Sequence, residues 1–77
     1  MGTKNEPGKF DCYANAESDE PMFVLLGRDP AAGATVRQWV ALRLKAGDTG
    51  GPKLAEALRC AQSMDEWARI KGKEPVR

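Results

Sequence analysis

Hydrophobic and polar positions divide the chain into an irregular front end and two stretches of helical periodicity. The clearest apolar run is Met22-Phe23-Val24-Leu25-Leu26, stopped by Gly27, which reads as a strand or an extended arm. A lone strand cannot satisfy its own ladder. The run must therefore pair with residues 10–13, pair with a second subunit, or pack as an arm on helices. Phe10-Asp11-Cys12-Tyr13 is a weaker strand candidate, and Ala14-Asn15-Ala16-Glu17-Ser18-Asp19-Glu20-Pro21 is an acidic loop. Residues 1–9 read as a flexible terminus.

Beyond Gly27 the period changes. Asp29 suits a helix N-cap and Pro30 the first helical position. Apolar spacing then runs through Val36, Trp39, Val40 and Leu44, and Gly47 fits the residue just past the helix end. Gly33 weakens the first turns by roughly 1 kcal/mol relative to alanine. Asp48-Thr49-Gly50-Gly51 is a connector. Pro52 opens a second helix whose apolar face uses Leu54, Ala57, Leu58, Ala61, Met64 and Ala68, and Gly72 closes it. The expected fold is mainly α: an antiparallel helical hairpin over 29–71, preceded by an extended N-terminal arm or short strand over 10–28 and followed by a tail over 72–77. Facing positions in such a hairpin sum to about 99. Arg43 then lies near Glu56, Asp65 near residue 34, Trp39 near residues 59–60, and Trp67 at the start of the first helix.

Length changes this picture. At 77 residues the chain holds one domain. A chain so short buries only about 60% of its unfolded surface, and its core supplies roughly 3–5 kcal/mol. Cys12 and Cys60 stand far apart with no C-x-x-C, so they read as reduced thiols rather than a staple. Self-association is the remaining helper, and a dimer or larger ring is expected. With 30% charged and 42% hydrophobic residues the chain reads as soluble and globular. It has no apolar run of the roughly 18 residues that cross a bilayer, and its first residues lack the apolar stretch of a signal peptide.

The net charge of +1 hides an asymmetry. Residues 1–30 carry three cations against six acids, and residues 31–77 carry nine against five, so the halves stand at −3 and +4. Specific nucleic-acid binding calls for a stronger basic surplus, whereas a small anionic ligand remains compatible. The chain has no histidine, which excludes a histidine base, a Ser-His triad and a zinc site with histidine ligands.

Candidate binding residues follow from charge on apolar faces. Arg43 and Asp65 interrupt the inward stripes of their helices. Each must be paired, Arg43 with Glu56 and Asp65 with Arg28 or Arg37, or else point into a pocket or interface. Arginine suits phosphate because its planar fork donates bidentately. Arg28, Arg37 and Arg43 are thus candidate phosphate ligands, and Trp39, Trp67 and Tyr13 candidate stacking partners, although tryptophans at helical spacing also serve as core. The Arg28-Asp29-Pro30 corner offers helix N–H groups, but the Asp29 carboxylate competes for them. Gly47-Asp48-Thr49-Gly50-Gly51-Pro52-Lys53 departs from a phosphate loop, since a helix precedes it and Pro52 intervenes. The Ser18-Asp19-Glu20-Pro21 cluster reads as a solvated loop, with a metal or a partner's basic patch as the other options. No carboxylate pair, Ser-Lys dyad or activated cysteine is legible. The chain is therefore expected to be non-enzymatic, with no catalytic residues, no resident metal and no cofactor.

Asp19-Glu20-Pro21-x-Phe23-Val24-Leu25-Leu26-x-Arg28-Asp29-Pro30, with Val36-Arg37-x-Trp39 and Cys60-Ala61-x-x-Met64-x-x-Trp67, resembles a family of short bacteriophage and prophage proteins over roughly residues 9–69. The resemblance implies context rather than catalytic residues: the host cytoplasm, and an accessory factor that blunts host defence. One expectation is an oligomeric sponge that sequesters a cyclic or ADP-ribose-type signalling nucleotide without cleaving it. The alternative is an inhibitor that caps a host defence or regulatory protein through the acidic arm and exposed strand. A structural phage component is a third.

Overall fold

Proline and glycine set three of the six helix boundaries in the computed structural model, which describes residues 1–77 as α1 (Cys12–Asn15), α2 (Ala32–Lys45) and α3 (Pro52–Ile70). Pro52 opens α3 as its sequence predicts. Both long helices end on a glycine at positive φ, Gly47 at 102° and Gly72 at 80°. At each end the residue beyond the glycine reaches back: the Asp48 amide donates to Arg43 O at 3.0 Å and the Lys73 amide to Ala68 O at 2.8 Å. These bonds satisfy carbonyls that a helix end would otherwise leave open.

The start of α2 lies later than predicted. Asp29 is not its N-cap; its carboxylate accepts the Ala31 amide at 2.8 Å and its carbonyl accepts the Ala32 amide at 3.0 Å. A separate tight turn thus precedes the helix, and Ala31 takes the cap position with no side-chain bond. The Phe10-Asp11-Cys12-Tyr13 strand is also corrected. Asp11 caps the short helix α1 by accepting the Ala14 amide at 3.2 Å, which commits the chain to a turn instead.

α2 and α3 pack together, and contacts along them run in opposite order. Gly33, early in α2, lies against Ala61 and Asp65 of α3, while Val40, further on, clusters with Leu54 and Ala57. A Cβ at Gly33 would collide with Asp65 Oδ1 and come within 3.0 Å of Ala61 O. Small residues make this approach possible: the buried apolar set is Ala32, Val40, Leu54, Ala57, Ala61 and Ala68. Asp65 sits in the seam, its side chain 13% exposed, with Oδ2 accepting from Arg37 Nη1 at 2.8 Å. Its other oxygen, Oδ1, is buried without a partner.

Both chain ends fold back on the pair. The amides of Lys9 and Phe10 donate to the Glu56 carboxylate at 2.8 and 3.1 Å, and the Met1 ammonium lies 3.8 Å from it. The Met1 side chain packs on the Val40 cluster. Residues expected to fray are thus strapped over α3. At the other end the Val76 amide donates to Pro30 O at 2.9 Å, and the Lys73 ammonium donates to Arg28 O at 2.7 Å.

The run over 22–26 forms no strand. None of the amides of residues 22–28 donates a hydrogen bond, and Phe23 is 85% exposed. It is an irregular arm, since no neighbouring edge offers it a ladder. The whole chain exposes 6071 Å², against about 4,600 Å² for a folded monomer of its mass. Its radius of gyration is 12.8 Å, against about 11.5 Å for a compact domain of this length.

Two outcomes follow. Gly33→Ala should destabilise the protein by about 1–3 kcal/mol despite the better helix former, because the methyl meets backbone and a carboxylate. Gly51→Ser, at the N-cap of α3 where nothing lies within 4 Å, should change stability by no more than a few tenths of a kcal/mol; thermal melts compare them. Glu56 is held below the ordinary carboxylate range, first by the Lys9 amide and then by the Phe10 amide, the Met1 ammonium and Arg59. A depressed folded value means that the strap is fully supported above the unfolded value of about 4.3 and is lost as pH falls through the folded one. Amide NMR shifts of Lys9 and Phe10 should titrate together on acidification, and Glu56→Gln should remove that transition.

Candidate functional site

Two open clefts flank the helix pair, and the sequence candidates divide between them. The first lies where the 26–28 turn meets the C-terminal end of α3. It measures about 470 Å³ and is lined by Leu26, Gly27, Arg28, Trp67, Lys71 and Lys73. Local sequence builds it. The Asp29 amide donates to Leu26 O at 3.0 Å and tightens the turn. The Gly72 reversal throws Lys73 back across it, and the Lys73 ammonium fastens on Arg28 O. Gly27 lies against the pyrrole edge of Trp67, and the Lys71 ammonium sits 4.9 Å from the centroid of that indole.

The second cleft, also about 470 Å³, is a mostly apolar groove along α2. Ala31, Ala34, Trp39 and Leu42 line it, and Val76 and Arg77 close one side. Trp39 carries the Arg43 guanidinium 5.9 Å from its ring centroid, near the outer limit for a cation–π contact.

Of the six residues expected to bind a ligand, only Arg28 and Trp67 share a cleft. Arg37 is held by Asp65, one of the two pairings the sequence offered. Arg43 pairs with Asp48 at 3.0 Å, not with Glu56. The reversal after Gly47 brings Asp48 within reach five residues on, while Glu56 is taken by the N-terminal strap. The Asp48 carboxyl is held below its usual range, first by the Gly50 amide and then by Arg43. Tyr13, on α1, is 81% exposed and lines neither cleft.

The inward reading of Arg43 fails for a geometric reason. Successive residues turn about 100° around a helix, so the stripe Gly33-Val36-Val40 faces α3 while Trp39 and Arg43 point to its flank. Both tryptophans are outside the core, Trp39 at 36% and Trp67 at 51% exposure. Lys71 and Lys73, which sequence reasoning missed, bracket the glycine that closes α3, and that bracketing is their only sequence signal. No group of three or more cysteines, aspartates or glutamates lies together to hold a metal ion. No helix is long and apolar enough to cross a membrane.

Comparison of the chain with protein-family models, with curated proteins and with solved structures returns no match.

The two arginine pairs should respond differently to substitution. Arg37→Ala strips the only partner from a carboxylate whose other oxygen is already orphaned, and should cost about 1–3 kcal/mol. Arg43→Ala breaks an exposed pair and should leave the melting temperature nearly unchanged. Equal losses in the two melts would contradict this placement of Asp65 in the seam.

Proposed function

We propose that the protein is a non-enzymatic interaction module that acts by docking its apolar arm on a protein partner. The observation that carries this reading is the state of residues 22–26: Phe23 85%, Val24 63% and Met22 47% exposed, on a backbone whose amides donate to nothing. Such a segment can add to the edge of another sheet, with backbone bonds supplying affinity and alternate side chains specificity. The surface excess supports it. The chain exposes roughly 1,500 Å² more than its mass calls for, enough to supply the ~800 Å² per partner of a standard interface. Glu17, Asp19 and Glu20 precede the arm and make no ion pair, so an acidic lead-in can steer the arm toward a basic partner.

In the setting that the phage resemblance implies, the module caps a host defence or regulatory protein in the host cytoplasm, and the free chain self-associates through the same exposed surface. Sequestration of a cyclic or ADP-ribose-type nucleotide is the second reading. It is favoured by one observation, the shared cleft of Arg28 and Trp67. It is weakened by the pairing of Arg37 and Arg43 and by the remoteness of Trp39 from that cleft.

Affinity capture from host lysate, followed by size-exclusion of the recovered complex, tests the first reading. A stoichiometric complex should form with the native chain. It should be lost with Phe23→Asp and with Val24→Pro, while both variants keep the native melting temperature because neither position is buried. A complex that survives both substitutions overturns the role of the arm.

A further inference from the structure

We infer that the cleft between the 26–28 turn and the end of α3 is a binding site for a phosphate group, made by Arg28, Lys71 and Lys73. These three cations line one concavity, and no acidic side chain lines it with them. None is in an ion pair, since the ion pairs of the chain involve Met1, Arg37 and Arg43. The acid nearest in sequence to Arg28 is Asp29, whose carboxylate is engaged by the Ala31 amide.

A simpler role for Lys71 and Lys73 is to complement the negative end of the α3 dipole. Magnitude decides against that as the whole explanation. A helix end presents roughly half an elementary charge, and its last carbonyls already accept the Lys71, Gly72 and Lys73 amides. Three cations therefore leave about +2.5 unmatched in a cleft of about 470 Å³. A carboxylate brings one negative charge, whereas a phosphate monoester brings roughly two, with three acceptor oxygens. Phosphate is the better match, and Arg28 supplies the planar fork that binds it bidentately. Two cations are also pre-positioned: the Lys73 ammonium is anchored on Arg28 O with donors to spare, and the Lys71 ammonium rests over Trp67.

The phosphate contacts come from Arg28, Lys71 and Lys73, outside the 22–26 arm, and they need no base. One face of the Trp67 indole carries Lys71, and its pyrrole edge meets Gly27, so the ring acts as a floor that holds cations rather than as an open stacking platform. This site shares its cleft with the nucleotide reading but specifies only the phosphate.

The test is a titration of the full ¹⁵N-labelled chain with inorganic pyrophosphate at low ionic strength, followed by amide shifts and the Trp67 indole signal. Saturable shifts should concentrate at residues 26–28 and 71–73 and weaken as salt is raised. The double variant Lys71→Ala/Lys73→Ala should bind roughly tenfold more weakly. Because Lys73 also fastens the turn, Arg28→Gln serves as a second variant that leaves that bond to the backbone carbonyl in place; it should weaken binding as well. Equal affinity for pyrophosphate and ADP upholds the phosphate site and removes the nucleotide reading. Shifts that are absent, that spread over Lys4, Lys45 and Lys53 without saturating, or that persist in both variants overturn the site.

Discussion

The close approach of α2 and α3 at Gly33 governs the rest of the molecule. With no side chain at that position, the first turns of α2 can lie on Ala61 and on the carboxylate of Asp65. Two helices brought this near must face one another with small residues, and four of the six buried apolar residues are alanines. Tight packing gains dispersion contacts, but alanine removes little apolar area from water, so the seam is well fitted and thin. No large side chain is fully buried anywhere in the chain. The bulky residues are displaced to the flanks, where Trp39, Leu42, Leu58 and Trp67 remain between 36% and 54% exposed.

A thin seam explains the folded-back ends. Val40, Leu54 and Ala57 form the main apolar cluster, and the Met1 side chain enlarges it from outside the helices. The Glu56 carboxylate holds that strap by accepting two consecutive backbone amides, which fixes the path of the chain more tightly than an ion pair between flexible side chains would. At the opposite end, buried Pro75 and the Val76 amide close over the start of α2. Even with both additions the chain exposes well over the surface expected for its mass. The arm over 22–26 contributes to that surface through Met22, Phe23, Val24 and Leu26.

Where local sterics decide, the sequence was legible. Pro52, Gly47 and Gly72 mark helix ends because only certain backbone angles suit them, and each stands where it was expected. The α3 stripe of Leu54, Ala57, Ala61 and Ala68 followed from spacing alone. The pairing of Asp65 with Arg37 was one of two options that helix register allowed. Competition was not legible. Arg43 was expected to pair with Glu56, and Asp48 comes within reach only through the backbone reversal after Gly47. Glu56 in turn was claimed by main-chain amides, which carry no sequence signal. The tryptophans had two readings, stacking partner or core; apolar spacing alone does not choose between them, and both side chains lie outside the core. Of the candidate site, Arg28 and Trp67 were visible as residue types, while the two lysines that complete the cleft depend on how the chain turns at Gly72.

The turn at Gly27 and Arg28 separates the molecule's two unsatisfied surfaces. Ahead of Gly27 the chain is apolar and acidic, with amides free to bond; behind it Arg28 begins a basic corner that the tail completes through Lys73. Opposite charges this near in sequence would ordinarily neutralise each other, yet no ion pair joins the acids before the arm to the cations of the cleft. In the reading proposed above the arm serves a protein edge and the cleft an anion; the thin seam set by Gly33 draws in neither Phe23 nor Val24, and both side chains stay exposed.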